Sequence, residues 1–314
     1  MTQAASRTSN WVWHKDDFEK SFGTRQAGRF AERWPAGVRL AVVVTFDTQG
    51  DVDAAVASDM AGSSAAYMTC RLRSGAINYC DLTMRQYDVL EGVPRVLRIL
   101  RKYGVRATFP TCGLTAEWYP EMLKSLVDEG HEVAAHGYYH APMDELSDAE
   151  ERAEIERATE VIERVTGVKP RGWRCPMYTI TVRTLDILRD IGYSWDSDFH
   201  DQDFPYVLSK DGRSIVEIPA GHDDWNMYLQ ASPGAPTMGG TPYGTAEGVA
   251  STMRAEFDML YEESAEAPRL LQWCMHPKIS GRAFRAMVLD RTLEYMKQHE
   301  GVWFATCSEI AALA

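Results

Sequence analysis

Residues Leu40–Phe46, LAVVVTF, form an unbroken apolar run rich in β-branched side chains. Such a run is what a strand buried on both faces looks like, and it constrains the fold more than any other stretch of the chain. Shorter runs of the same kind recur at 105–110, 133–135, 171–175, 193–196, 215–219, 270–275 and 303–305. Helical patterns separate most of them. Val93–Tyr103 is stopped by Gly104, 120–129 by Gly130, and 181–189 is followed by Gly192. The helix predicted over 146–166 opens on a capping box, Ser147 with Glu150, and closes at Gly167. Further helices are predicted at 247–261 and 284–299, and Ser308 opens a short terminal one. The polar residues at the C-terminal ends of the strands are Asp47, His136 and His140, Arg174, Asp196, Asp223 and His276. This alternation predicts an α/β fold, a (β/α) barrel with its site at that face. A doubly wound sheet would alternate too, but would not need a contribution from nearly every strand. Neither GxGxxG nor GxxxxGK occurs, so nucleotide binding has no motif behind it.

The barrel is expected over 39–314, with long loops at about 54–90 and 222–246, and with residues 1–38 as an aromatic, charged arm. Tyr67, Arg71, Tyr79 and Tyr87 in the first loop are candidate pocket or interface residues. A net charge of −12 argues against nucleic acid and anionic membrane surfaces as partners. No run approaches the length of apolar sequence needed to cross a bilayer, and no basic segment leads into an apolar one at the start. The six cysteines contain no CxxC pair and read as free thiols of a reducing compartment. A cytoplasmic protein is the expectation.

His131–His140, HEVAAHGYYH, carries a buried-strand pattern straight into two imidazoles four residues apart. They face the same way if the segment turns helically after the strand, and their neutral nitrogens can then hold one divalent metal. A bare HxxxH fits two hydrogen-bonded histidines equally well. Its position at a strand end in an alternating chain favours the ligand reading. A metal on two imidazoles and a carboxylate has positions left for water and a substrate carbonyl, the requirements for attack on an amide or imide. Asp47 is placed to act as base and His276 to protonate the leaving nitrogen. Arg174 is placed to hold a buried aspartate ionised. A structural salt bridge for Arg174 and a capped core histidine for His276 are the plainer readings.

These residues resemble the polysaccharide deacetylase superfamily (NodB homology, carbohydrate esterase family 4). The likeness is greatest to its intracellular branch of peptidoglycan-deacetylase-like proteins, cyclic imide hydrolases and allantoinases, and it spans residues 33–310. The segments that carry it are Thr45-Phe46-Asp47, His136-Gly-Tyr-Tyr-His140, Arg174-Cys-Pro-Met-Tyr178, Glu217-Ile-Pro-Ala followed by Asp223 and Asp224, and Met275-His276-Pro277. The resemblance implies a distorted seven-stranded (β/α) barrel. It implies Asp47, Arg174 and His276 as catalytic residues, and Tyr178, Asp223, Asp224 and Trp225 as pocket residues. It also implies a divalent metal, zinc, on His136 and His140. Relatives place a metal-binding aspartate one or two residues after the base, where this chain has Thr48 and Gln49. Asp51 is the expected substitute; Asp53, Asp47 itself, or weak or absent metal binding are alternatives. The implied activity is metal-dependent hydrolysis of non-peptide C–N bonds in small amides, cyclic imides or related ring amides. Deacetylation of N-acetyl sugars and a catalytically weakened binding protein are the alternatives, and the intracellular relatives imply a homo-oligomer.

Overall fold

The computed structural model describes residues 14, 16–52, 72, 74–224 and 245–314. Trp225, Tyr67, Arg71, Asp53, Cys70 and most of the 222–246 loop lie outside the described residues. Within them one sheet contains β1 (Thr24–Gln26), β2 (Leu40–Phe46), β3 (Thr108–Thr111), β4 (Glu132–Ala135), β5 (Gly172–Trp173), β6 (Trp195–Asp196), β7 (Tyr206–Lys210), β8 (Arg213–Glu217), β9 (Arg269–Met275) and β10 (Val302–Ala305).

The apolar run that dominates the sequence is the central strand, β2. It pairs in parallel with β9 along its whole length, from Leu40 opposite Arg269 to Phe46 opposite Met275. Its other edge is shared by β10, along Leu40 to Val43, and by β3 at Thr45. β4, β5, β6 and β8 follow β3 in parallel. A bridge between Asp223 and Cys274 brings the chain beyond β8 back to β9. β2 to β6, β8 and β9 therefore curl into a distorted seven-stranded (β/α) barrel. The return passes so close to β9 that a Cβ on Gly221 would stand 1.9 Å from the Gln272 carbonyl oxygen, so only glycine fits there.

Side chains alternate across each strand, and this alternation positions the site. Val42, Val44 and Phe46 of β2 join the larger core beneath the helices, with Trp273 and Met275 of β9. Ala41 and Val43 join a second core with Ala134, Trp195, Val216, Ile218 and Leu270. That second core fills the lower barrel. Further along these strands the same inward face carries Thr45 and Asp47, His136, Arg174, Ser197, Cys274 and His276. The apolar plug thus ends in a polar layer, all of it buried.

Helix ends follow the sequence signals. The Ser147–Glu150 capping box forms, and Gly104, Gly167 and Gly192 close their helices in the left-handed conformation. Two elements differ from expectation. The long connection before residue 90 is helical over Tyr79–Tyr87 and runs through a π-helical turn, Asp88–Gly92, into the helix Val93–Tyr103. Only Arg85 of the first helix is buried, so it leaves no apolar periodicity to read. The second difference is the antiparallel hairpin β7–β8, turned on Asp211-Gly212 with both residues at positive φ, the preference of a two-residue hairpin loop. β1, from the predicted arm, pairs with β7 and extends the sheet.

Candidate active site

Phe46 and Met275 stand opposite one another at the ends of adjacent parallel strands, so Asp47 and His276 leave the sheet side by side. Asp47 Oδ1 accepts from Arg174 Nη1 at 3.5 Å, and Oδ2 accepts from Cys274 Sγ at 3.4 Å. Arg174, wholly buried, also donates to Ser197 Oγ at 2.9 Å and to Cys274 Sγ at 2.8 Å. Burial opposes a charge on Asp47, but the guanidinium of Arg174, with help from His276, outweighs it and holds the carboxyl below the usual range. Asp47 is therefore ionised at neutral pH.

His276 is shaped by carboxylates. Its Nδ1 donates to Asp224 Oδ1 at 2.8 Å and lies 4.0 Å from Asp223 Oδ1. Asp224 Oδ2 accepts from the His276 backbone N–H at 2.9 Å and from Ser280 Oγ at 2.6 Å. Burial would lower the pKa of the imidazole, but Asp224 and then Asp223 raise it to about 9. His276 is thus an imidazolium at neutral pH, with a proton to give. Because the folded value lies above the ordinary one, its stabilising contribution is complete below about pH 6.5 and is lost as pH rises through about 9. Asp223, Asp224 and His276 are also the group, among the described residues, whose ligand atoms lie close enough together to hold an ion.

His136 follows β4, and its Nδ1 faces the Arg174 carbonyl oxygen at 2.8 Å. A carbonyl only accepts, so Nδ1 carries the proton and Nε2 presents a lone pair. Burial pushes the pKa of His136 down to about 3, so it is neutral. The two imidazoles do meet, with ring centroids 4.8 Å apart. A helical turn does not bring them together. Gly137 and His140 both take positive φ, 69° and 63°, and the chain folds back between them. Left-handed backbone at a histidine is a local strain that the surrounding packing sustains.

The third corner differs from the expected metal set. Asp51 turns both oxygens elsewhere, to Tyr119 Oη and to Gln86 Nε2, each at 2.9 Å. Among the described residues no group of three close metal-binding side chains includes Asp51, His136 or His140. Gln49 stands against the imidazoles instead: its Nε2 is 2.8 Å from His140 Nε2 and 3.4 Å from His136 Nε2. Its Oε1 accepts from Lys278 Nζ. Asp88, wholly buried in the π-helical turn, ties this corner together. It accepts from the backbone N–H groups of Gln49 at 3.0 Å, Gly50 at 2.6 Å and Lys278 at 2.8 Å.

Tyr178 stands at positive φ beside Arg174, which donates to its hydroxyl at 3.4 Å, and its ring packs on His200. Asp196 does not join this layer; it sits in a buried acid cluster with Asp198 and Glu217. Burial raises Asp198 to about 6 and Glu217 to about 8. The sequence reading missed Asp88, Lys278 and Cys274. Lys278 directly follows His276-Pro277 and Cys274 is in register with Thr45, and both are signals present in the sequence. Asp88 had none.

The profile of the polysaccharide deacetylase family matches residues 85–195, which include both histidines and Arg174. A crystal structure from Mycobacterium smegmatis assigned to the polysaccharide deacetylases is 31% identical, with 92% of this chain and 93% of that one covered and a TM-score of 0.74. The peptidoglycan deacetylase of Helicobacter pylori is 27% identical over 243 residues, 70% of this chain and 82% of that protein. The crystal structure of Puue allantoinase shares the fold, with a TM-score of 0.78 at 24% identity over 93% of this chain and 94% of that one. With both chains aligned over nearly their whole lengths in the first of these, the protein belongs to the polysaccharide deacetylase family and is a hydrolase of carbon–nitrogen bonds other than peptide bonds.

Proposed function

We propose that the protein hydrolyses a C–N bond of a small amide, a cyclic imide or related ring amide. The observation that carries this reading is burial. Asp47, His136, Arg174 and His276 each expose 6% or less of their surface. Reacting groups set that deep suit a compact substrate better than a polymer chain lying across the surface. Ionised Asp47 takes a proton from water as its oxygen bonds to the carbonyl carbon. Arg174 keeps that carboxylate charged and oriented. When the C–N bond breaks, His276 gives its proton to the departing nitrogen, and Asp224 holds the imidazole in line. Tyr178, Asp223, Asp224 and Trp225 are the proposed pocket residues. Deacetylation of N-acetyl sugars by the same groups is the second reading, and the name of the Helicobacter relative favours it. A panel of succinimide and hydantoin rings against N-acetylglucosamine oligomers separates the two. We expect turnover of rings, and turnover of the oligomers alone would overturn the proposal.

The pH dependence follows from the two shifts. The competent form has Asp47 ionised and His276 protonated, so kcat/KM stays level through neutrality and falls about tenfold per unit above the His276 pKa of about 9. Asp224→Asn removes the main cause of that raised value, so the alkaline fall moves toward the ordinary histidine range. An unchanged alkaline limb in the variant would show that His276 is not the acid.

A cytoplasmic location is part of the proposal. Five cysteines among the described residues are free, which supports a reducing compartment, and no described helix is long and apolar enough to cross a membrane. We also propose a small-molecule substrate as its partner and assembly into a homo-oligomer; a solution mass of a single chain would remove the assembly.

A further inference from the structure

The two-histidine corner does not suit the divalent metal that the family resemblance implies. A cation on both Nε2 atoms would stand about 2 Å from each, with a carboxylate to balance its charge. Here the Gln49 amide nitrogen stands against both atoms, at 2.8 and 3.4 Å. The neighbouring carboxylates have other partners: Asp51 accepts from Tyr119 and Gln86, and Asp88 from three backbone N–H groups. Asp47 lies 4.0 Å from His136 Nε2 and already accepts from Arg174 and Cys274. The far end of Gln49 accepts from the buried amino group of Lys278, so a metal bound here would share its small, low-dielectric space with another cation.

We propose that Lys278 replaces the divalent cation, and that the protein is a hydrolase whose positive charge beside the histidines is built into the chain. Gln49 is the adaptor. Its amide N–H groups face the imidazole lone pairs, and its carbonyl oxygen faces the ammonium. The two ends of one neutral side chain thus answer to two opposite requirements, which an aspartate at this position would not do for the histidines. Asp88 fixes the arrangement by holding the backbone of Gln49 and of Lys278 with one carboxylate. The two turns also meet without room for a side chain: a Cβ on Gly92 would stand 2.4 Å from the Pro277 carbonyl oxygen. Lys278 is accordingly delivered to the corner by a rigid contact.

The test reads metal first and therefore does not depend on the substrate being a ring amide. The full chain, produced in zinc-supplemented medium, is analysed for metal content and then titrated with Co²⁺ while its visible absorption is followed. We expect far less than one metal per chain that depends on His136, and no tetrahedral Co²⁺ bands at micromolar metal that His136→Ala abolishes. The double variant Gln49→Asp/Lys278→Met restores a carboxylate and removes the competing charge, and should bind Co²⁺ about 100-fold more tightly. Circular dichroism reports whether that variant is folded; if it is not, the wild-type measurement decides alone. Wild-type protein carrying one tightly held metal per chain that His136→Ala releases would overturn the proposal, and so would a folded double variant with no gain in affinity; a metal that His136→Ala leaves bound sits on Asp223, Asp224 and His276 and keeps the corner metal-free. Once a substrate is in hand, turnover should survive a chelator and fall about 100-fold in Lys278→Met. Loss of turnover to the chelator would count against the built-in cation while leaving the reaction class intact.

Discussion

Asp47→Asn should lower kcat by about 10²- to 10⁴-fold, the contribution of a positioned general base. The change keeps the shape of the side chain, and its oxygen can still accept from Arg174, so the pocket should persist. What it loses is the negative charge that takes the proton from water. Substrate binding does not depend on that proton, so KM should change far less than kcat. The fold should weaken as well, because Arg174 is wholly buried and Asp47 is the carboxylate paired with it. Breaking a buried pair by removing one partner costs about 3–5 kcal/mol. Ser197 Oγ and Cys274 Sγ still accept from the guanidinium, which places the expected loss at the lower end of that range. Steady-state kinetics with thermal unfolding checks both parts. A variant keeping more than a tenth of wild-type kcat would show that Asp47 is not the base.

Most of the frame that delivers Asp47 was legible because it rests on strong local patterns. β2 and the helix Val93–Tyr103 have the bounds that their sequence patterns predict. Both are deeply packed, so burial writes their periodicity into the sequence. The capping box at Ser147 and the glycine stops are equally local chemistry. The strand-end rule then brought Asp47, His136, Arg174 and His276 to one face without knowledge of contacts. Asp196 obeyed the same rule and was misplaced, because β6 is only two residues long and alternation turns its aspartate to the other side of the sheet. The helix Tyr79–Tyr87 escaped because it is mostly exposed. The expected ligand Asp51 is the instructive difference. A carboxylate two residues beyond Gln49 looks near the histidines along the chain. Gly50, at φ 62°, turns the backbone there, and Tyr119 and Gln86 capture the side chain. Those partners come from other elements and are invisible in a linear reading. Asp88 is the extreme case, since each backbone group it binds belongs to another element.

Asp88→Asn should therefore be among the most damaging single changes outside the reacting groups. The carboxylate receives Gln49 N–H and Gly50 N–H on one oxygen and Lys278 N–H on the other. An asparagine has one oxygen and one amino group. Whichever way the amide turns, at least one buried N–H meets another donor, and rotating back only moves the conflict to the other side. Burial raises the pKa of Asp88, and Lys278 is the first of the groups that oppose this. Losing the carboxylate therefore removes a negative charge that Lys278 faces as well as leaving an orphaned donor. Unfolding should become easier by about 3–5 kcal/mol. At the entropy of unfolding ordinary for a chain of this length, that lowers Tm by roughly 5–7 °C. Activity should fall too, because the loop that carries Gln49 and the turn that carries Lys278 are no longer held to one point. The conservative control is Asp88→Glu, which keeps both oxygens and the charge but lengthens the side chain by one methylene. If the carboxylate acts as a clamp, Glu should recover more of the stability than Asn. Equal losses in the two variants would mean that the close packing of Gly92 on Pro277, and not the hydrogen-bonded carboxylate, holds the corner together.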